Sequence, residues 1–212
     1  MSAIVFIAGG ARSGKSWLAQ EFAKMWVEDS PLKGVLGGKS KFAKQGKKIK
    51  ESPAARVCYL ATARPVDEEM KARIEQHKQK RPKGWYTVEE PVDLVSVLSE
   101  VKGTLIEMVI IDCVTVWISN MMETLSGEYD EIRAEILKRT DELIKECFKL
   151  EDVAIVVVGN EVGSAIVPEN ALARQFRDIN GEVNQRFARA ARLAYLMVSG
   201  IPVKIKGGKR EE

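Results

Sequence analysis

Residues 9–16 read Gly-Gly-Ala-Arg-Ser-Gly-Lys-Ser and follow the apolar run Ile4-Val-Phe-Ile-Ala8. The spacing is G-x-x-x-x-G-K-[ST], with Gly9, Gly14, Lys15 and Ser16 at the fixed positions. Such a loop turns its backbone N–H groups inward around phosphate oxygens, and Gly10, Ala11, Arg12 and Ser13 supply the intervening peptides. Lys15 offers a point charge to the β- and γ-phosphates, and Ser16 a hydroxyl to Mg²⁺. A glycine-rich turn can match the bare pattern by accident. Here a buried strand leads in, and Ser16-Trp-Leu-Ala-Gln-Glu-Phe-Ala23 starts a helix whose positive end faces the loop. The motif therefore names a ligand class, a nucleoside triphosphate with Mg²⁺.

Outward from the loop, strand and helix alternate. Apolar runs suited to buried parallel strands are Ile4–Ala8, Val57–Ala61, Met108–Asp112, Ala154–Gly159 and Ala194–Val198, with a shorter strand at Trp85–Glu89. Helical periodicity fits Lys15–Val27, Asp67–Lys80, Val92–Val101, Thr115–Leu125, Tyr129–Leu150 and Ala171–Ala191. This order predicts an α/β fold, a mainly parallel sheet flanked by helices, with chemistry at the carboxyl ends of the strands. The 212 residues suit one domain. The pattern breaks only at about 28–55, a Lys/Gly-rich insertion read as a long loop.

Charge and cysteine usage narrow the class. Lys and Arg total 33 against 30 acids, and seven of the lysines fall within 33–50, a stretch without any acid. The basic excess is thus local, which argues against a nucleic-acid-binding surface over the whole chain. The insertion alone leaves open a lysine arm that reaches a phosphate or a partner. No apolar run approaches the roughly 20 residues of a membrane span, and the start of the chain lacks a signal-peptide pattern. Cys58, Cys113 and Cys147 have no metal-ligand spacing and read as reduced thiols of a cytoplasmic protein.

Two residue groups beyond the loop could carry chemistry. Asp112 ends an apolar strand and is placed to share Mg²⁺ with Ser16, although a strand-end acid can equally cap the next helix. His77 is the only histidine, in a predicted helical column with Arg73 and Arg81 that Pro82 loosens. Two guanidinium groups beside an imidazole keep the ring neutral, the form that acts as a nucleophile. On periodicity alone a solvated face with an incidental histidine fits as well.

The ordered set Gly9–Ser16, Tyr59-Leu-Ala-Thr-Ala63, Asp67-Glu-Glu-Met70, Arg73-Ile74, His77, Arg81-Pro82, Trp85, Asn160-Glu-Val-Gly163, Ile166-Val-Pro-Glu-Asn170, Arg177-Asp178, Asn184-Gln185 and Val198-Ser-Gly200 goes further. It resembles the bifunctional adenosylcobinamide kinase and adenosylcobinamide-phosphate guanylyltransferase family of cobalamin biosynthesis. The resemblance spans 4–27 and 57–206. It implies a RecA-like phosphate-loop fold, a homotrimer, and two reactions. A kinase step moves the γ-phosphoryl of ATP or GTP to adenosylcobinamide, and a transferase step passes GMP from GTP to adenosylcobinamide phosphate through a guanylylated histidine. His77 stands at that histidine's position, which favours the nucleophile over the incidental reading. By the same resemblance Thr62, Ala63, Arg64, Lys78, Gln79, Lys80 and Arg81 lie near the nucleotide, and Glu89 and Asp112 at acidic nucleotide or metal positions. The chain departs from the pattern in its insertion, in Asp112 where a Glu can occur, and in Glu182 where a basic residue is common.

Overall fold

The computed structural model describes residues 3–27 and 56–207; the predicted insertion lies outside the described residues. Seven strands form one sheet: β1 (Ile4–Gly9), β2 (Val57–Ala61), β3 (Tyr86–Glu89), β4 (Met108–Asp112), β5 (Ala154–Asn160), β6 (Leu193–Val198) and β7 (Ile201–Lys206). Six helices among the described residues connect them: α1 (Lys15–Val27), α2 (Glu68–Gln79), α3 (Leu94–Val101), α4 (Val114–Thr124), α5 (Tyr129–Lys149) and α6 (Ala171–Ala190). The strand order is β3-β2-β4-β5-β1-β6-β7, with only β7 antiparallel. β5 therefore lies between the phosphate-loop strand β1 and the Asp112 strand β4, the order of a RecA-like phosphate-loop fold.

Local chemistry explains the element ends. Asp67, Asp93 and Asn170 each accept a hydrogen bond from a backbone N–H in the first turn of α2, α3 and α6. Glu128 and Glu131 form a reciprocal capping box on α5. The first turn of α1 carries no acidic residue, so its positive end stays available to an anion.

The central strands are buried on both faces, which is why they read as continuous apolar runs rather than alternating ones. Period-2 alternation still sorts their side chains. Ile155 and Val157 join Val109, Ile111 and Phe6 in a large cluster under α3, α4, α5 and α6. Val156, Val158, Ile110, Tyr59 and Ile7 face the other way, onto Leu18, Ala19 and Phe22 of α1. Trp117 of α4 is buried in the larger cluster, and its indole N–H donates to Val92 O at 2.8 Å, so the one polar atom of the ring is satisfied.

Sequence periodicity missed β7. Ser199 and Gly200, with φ of 50° and 86°, make the two-residue turn of a β6–β7 hairpin. Every β7 residue is exposed, so the strand offers no buried run to detect, although Ile201, Val203 and Ile205 alternate with Pro202, Lys204 and Lys206.

Candidate functional site

Side chains converge at the carboxyl ends of β1, β2, β4 and β5, around a cavity of about 760 Å³. Its floor is the phosphate loop, where Ala11, Arg12, Ser13, Gly14, Lys15 and Ser16 all reach the wall. Gly14 has φ of +95°, and a Cβ on Gly9 would lie 2.7 Å from Met197 O, so both fixed glycines are demanded by this backbone path. Lys15 Nζ folds back to donate to Gly10 O, with Ser13 Oγ at 3.5 Å. Burial holds its ammonium below the ordinary pKa, with Arg73 adding to that and Cys113 and Asp112 opposing it. A poorly solvated cation at the loop is suited to polyphosphate.

Asp112 stands on the wall and does not cap α4; Cys113 holds the cap position without a side-chain bond. Instead, the Tyr59 hydroxyl donates to Asp112 Oδ2, and Asp112 and Ser16 both line the cavity. Burial first, and the Asp112 charge second, push the Tyr59 phenol well above its usual range, so it remains a donor. Ser16 and Asp112 are hard oxygen donors, the kind Mg²⁺ takes. Among the described residues no group of three or more His, Cys, Asp or Glu is arranged to hold a metal by itself.

The opposite wall is α2 and the turn after it. Arg73, His77, Lys80 and Arg81 all line the cavity. The helix stops at Gln79, so Arg81 leaves the predicted helical column and reaches the site from the following turn. There its guanidinium lies 4.0 Å over the Tyr59 ring, and its Nε and Nη1 are buried without a hydrogen-bond partner. His77 is held below its ordinary pKa of 6.5, chiefly by desolvation, then by Arg73, Arg81 and Lys80; Asp112 opposes this. The shift favours the neutral ring, with burial rather than the arginines as its leading cause. Cys113 also touches the cavity, but burial pushes its thiol up to about 12, which removes it as a competing nucleophile.

The remaining expected site residues divide between the cavity wall and its surroundings. Ala63 and Glu89 line the cavity, while Gly9, Gly10, Thr62, Arg64, Lys78 and Gln79 are not on its wall. Thr62 is fully buried behind it, exchanging hydrogen bonds with the Cys113 backbone. Lys78 pairs with Glu89 at 2.7 Å and Glu75 at 3.3 Å. Glu182 makes a two-pronged pair with Arg133, both distances 2.7 Å, which accounts for an acid there within the chain itself. Trp17 and Gln20, which motif reading did not assign to the site, line the cavity too, and Asn160, one of the polar residues at a strand end that could line a site or make a turn, is also on its wall. Trp17 and Gln20 sit on the helix face that continues from the loop, so helical spacing was the available signal.

The family model for cobinamide kinase / cobinamide phosphate guanyltransferase matches residues 32–205. Among curated proteins, the bifunctional adenosylcobalamin biosynthesis protein CobU of Escherichia coli K12 is 36% identical over 211 residues, covering 96% of this chain and 99% of its own. The bifunctional adenosylcobalamin biosynthesis protein CobP of Pseudomonas aeruginosa is 32% identical over 207 residues, covering 95% and 96%. A solved structure, the flagellar accessory protein FlaH of Methanocaldococcus jannaschii, superposes with a TM-score of 0.45 at 13% identity over 97% of this chain and 79% of that one. Both curated relatives align from end to end with a chain whose phosphate loop and sole histidine face one cavity, and the chain belongs to the cobinamide kinase / cobinamide phosphate guanyltransferase family.

Proposed function

We infer that this chain phosphorylates adenosylcobinamide with ATP or GTP and then transfers GMP from GTP to adenosylcobinamide phosphate through a guanylylated His77. The observation that supports this above all is the sharing of one cavity by the phosphate loop and His77. In the kinase step, Lys15 and the loop peptides neutralise and orient the polyphosphate while the corrinoid hydroxyl attacks the γ-phosphorus; the β–γ P–O bond breaks, its electron pair leaves with the nucleoside diphosphate, and the hydroxyl proton passes to solvent. In the transferase step, an imidazole nitrogen of His77 attacks the α-phosphorus of GTP. The α–β P–O bond breaks, and its electron pair leaves with pyrophosphate. A phosphate oxygen of the corrinoid then attacks the same phosphorus, the P–N bond breaks, and the imidazole is restored as the GDP-linked product forms. Splitting one displacement into two is the gain of covalent catalysis. Burial first, then Arg73 and Arg81, lower the ring's pKa and favour its neutral form, and the two guanidinium groups offer donors to phosphate oxygens.

Mg²⁺ bound by Ser16 and Asp112 would neutralise charge on the polyphosphate. We extend the reading to a homotrimer acting in the cytoplasm; no helix among the described residues is long and apolar enough to cross a membrane.

The test is intact-protein mass spectrometry after incubation with GTP and Mg²⁺, followed by peptide mapping. Wild type should gain one guanylyl group on His77. His77→Asn should gain none and lose guanylyltransfer yet keep kinase turnover, because phosphoryl transfer to an alcohol needs no covalent histidine. Lys15→Ala should lose both activities by on the order of 10²-fold or more. An adduct on another residue, or efficient guanylyltransfer by His77→Asn, would overturn the reading.

A further inference from the structure

Asn160 is the last residue of β5, the strand between the phosphate loop and Asp112. Its register partner on β1 is Gly9, and Val158 two residues earlier is opposite Asp112. Ala154, Val156 and Val158 pack on the α1 side of the sheet, so alternation turns the Asn160 side chain to that same face. Both Val158 and Asn160 line the cavity.

The main chain here is held from several sides. Asn160 N–H donates to Thr115 Oγ1 at 2.7 Å. Its carbonyl accepts from Asn180 Nδ2 and from Asn184 Nδ2, each at 2.9 Å. The next residue, Glu161, donates its N–H to Gly9 O at 2.9 Å. Yet the Asn160 side-chain amide makes no hydrogen bond with any described residue.

Asn180 and Asn184 are costly to keep. They are 1% and 8% exposed, one helical turn apart on α6, and their Oδ1 atoms are buried without a partner. Apolar side chains there would bury no orphan acceptors. The hydrogen bonds the two amides do make all end on one atom, the carbonyl oxygen of Asn160.

We propose that the Asn160 amide contacts the terminal phosphate of the nucleotide on the loop, and that Asn180 and Asn184 are positioning residues that hold it there. This rests on the phosphate loop being the nucleotide site, and adds to it a donor on the side of the loop facing Asp112. An amide NH₂ aimed at a phosphate oxygen is a charge-assisted hydrogen bond, stronger than a neutral one.

The experiment compares binding of a diphosphate and a non-hydrolysable triphosphate of the same nucleoside, by calorimetry, to wild type, Asn160→Ala, Asn160→Asp and Lys15→Ala. Asn160→Asp keeps the shape of the side chain and serves if Asn160→Ala does not fold. The expected result is a loss of about 10-fold or more in triphosphate affinity, with diphosphate affinity unchanged. Equal loss for both nucleotides, or no loss in either Asn160 variant while Lys15→Ala loses binding, overturns the proposal and spares the loop reading. No loss even in Lys15→Ala overturns both. For the positioning pair, Asn184→Ala should weaken triphosphate binding in the same direction and leave diphosphate binding unchanged. In an Asn160→Ala background it should cost no further triphosphate affinity, although stability still falls. An additive loss would mean that Asn184 acts on folding alone.

Discussion

Replacing Arg81 with alanine should separate stability from activity, because its guanidinium is placed at the expense of the empty protein. Its Nε and Nη1 are buried without hydrogen-bond partners, and its guanidinium lies 4.0 Å over the face of Tyr59. Losing a partly desolvated cation–π contact costs about 1–2 kcal/mol. Removing two buried unsatisfied donors returns about 1–3 kcal/mol for each. The sum is near zero or stabilising. A change of 1 kcal/mol moves Tm by roughly 2–4 °C in a chain of this size, so Arg81→Ala should melt at or a few degrees above wild type. Function should move the opposite way. Charge-assisted bonds from Arg81 to a phosphate are worth about 1.5–3 kcal/mol, which converts to roughly 10- to 100-fold in the rate of adduct formation on His77. The assay pairs thermal melts in nucleotide-free buffer with the time course of GMP attachment followed by intact mass. A Tm several degrees lower with an unchanged labelling rate would refute the argument and make Arg81 a packing residue for Tyr59.

Two further predictions test the site and its support. Labelling of His77 should fall in acid solution with a midpoint below the ordinary 6.5. A lowered pKa means the reactive neutral form persists below the ordinary value, and a midpoint above 6.5 in the pH–rate profile would contradict it. Gly159→Ala should destabilise the fold by about 1–3 kcal/mol. The new Cβ would meet Asn184 Oδ1 at 2.8 Å and the Phe6 ring at 3.1 Å, and Phe6 is itself stacked on Phe187; an unchanged denaturation midpoint would count against that packing.

What was legible in the sequence follows from the range over which each signal acts. The phosphate loop and the five apolar strands are local patterns, and they stand where periodicity put them, with helix ends shifted by a residue or two where caps decide the boundary. Asp67, for example, was counted into α2 but caps it. β7 escaped because an edge strand exposed along its whole length has no buried run, only the alternation of Ile201, Val203 and Ile205. The site was legible wherever a residue adjoins a strand end, as Asp112 does. It was illegible where residues far apart in sequence converge. Nothing in the order of residues says that Tyr59 donates to Asp112, that Arg81 stacks on Tyr59, or that Asn180 and Asn184 meet at the Asn160 carbonyl.

The two faces of the sheet divide the labour between folding and chemistry. Four helices pack the larger cluster on one face, whereas α1 covers the described part of the other. Alternation places Tyr59 in the middle of β2, and Asp112 and Asn160 at the ends of β4 and β5, on the α1 face of three neighbouring strands. Truncations within the larger cluster, at Trp117 or Ile136, should therefore act mainly through stability. Substitutions on the α1 face act on the cavity itself. The asparagine pair is the exception, since it belongs to α6 of the packing face yet ends its hydrogen bonds at a cavity-lining residue. A helix otherwise devoted to the core thereby reaches around the end of β5 and fixes one wall of the site. That is a physical reason for polar residues to persist at Asn180 and Asn184, where burial alone would favour leucine.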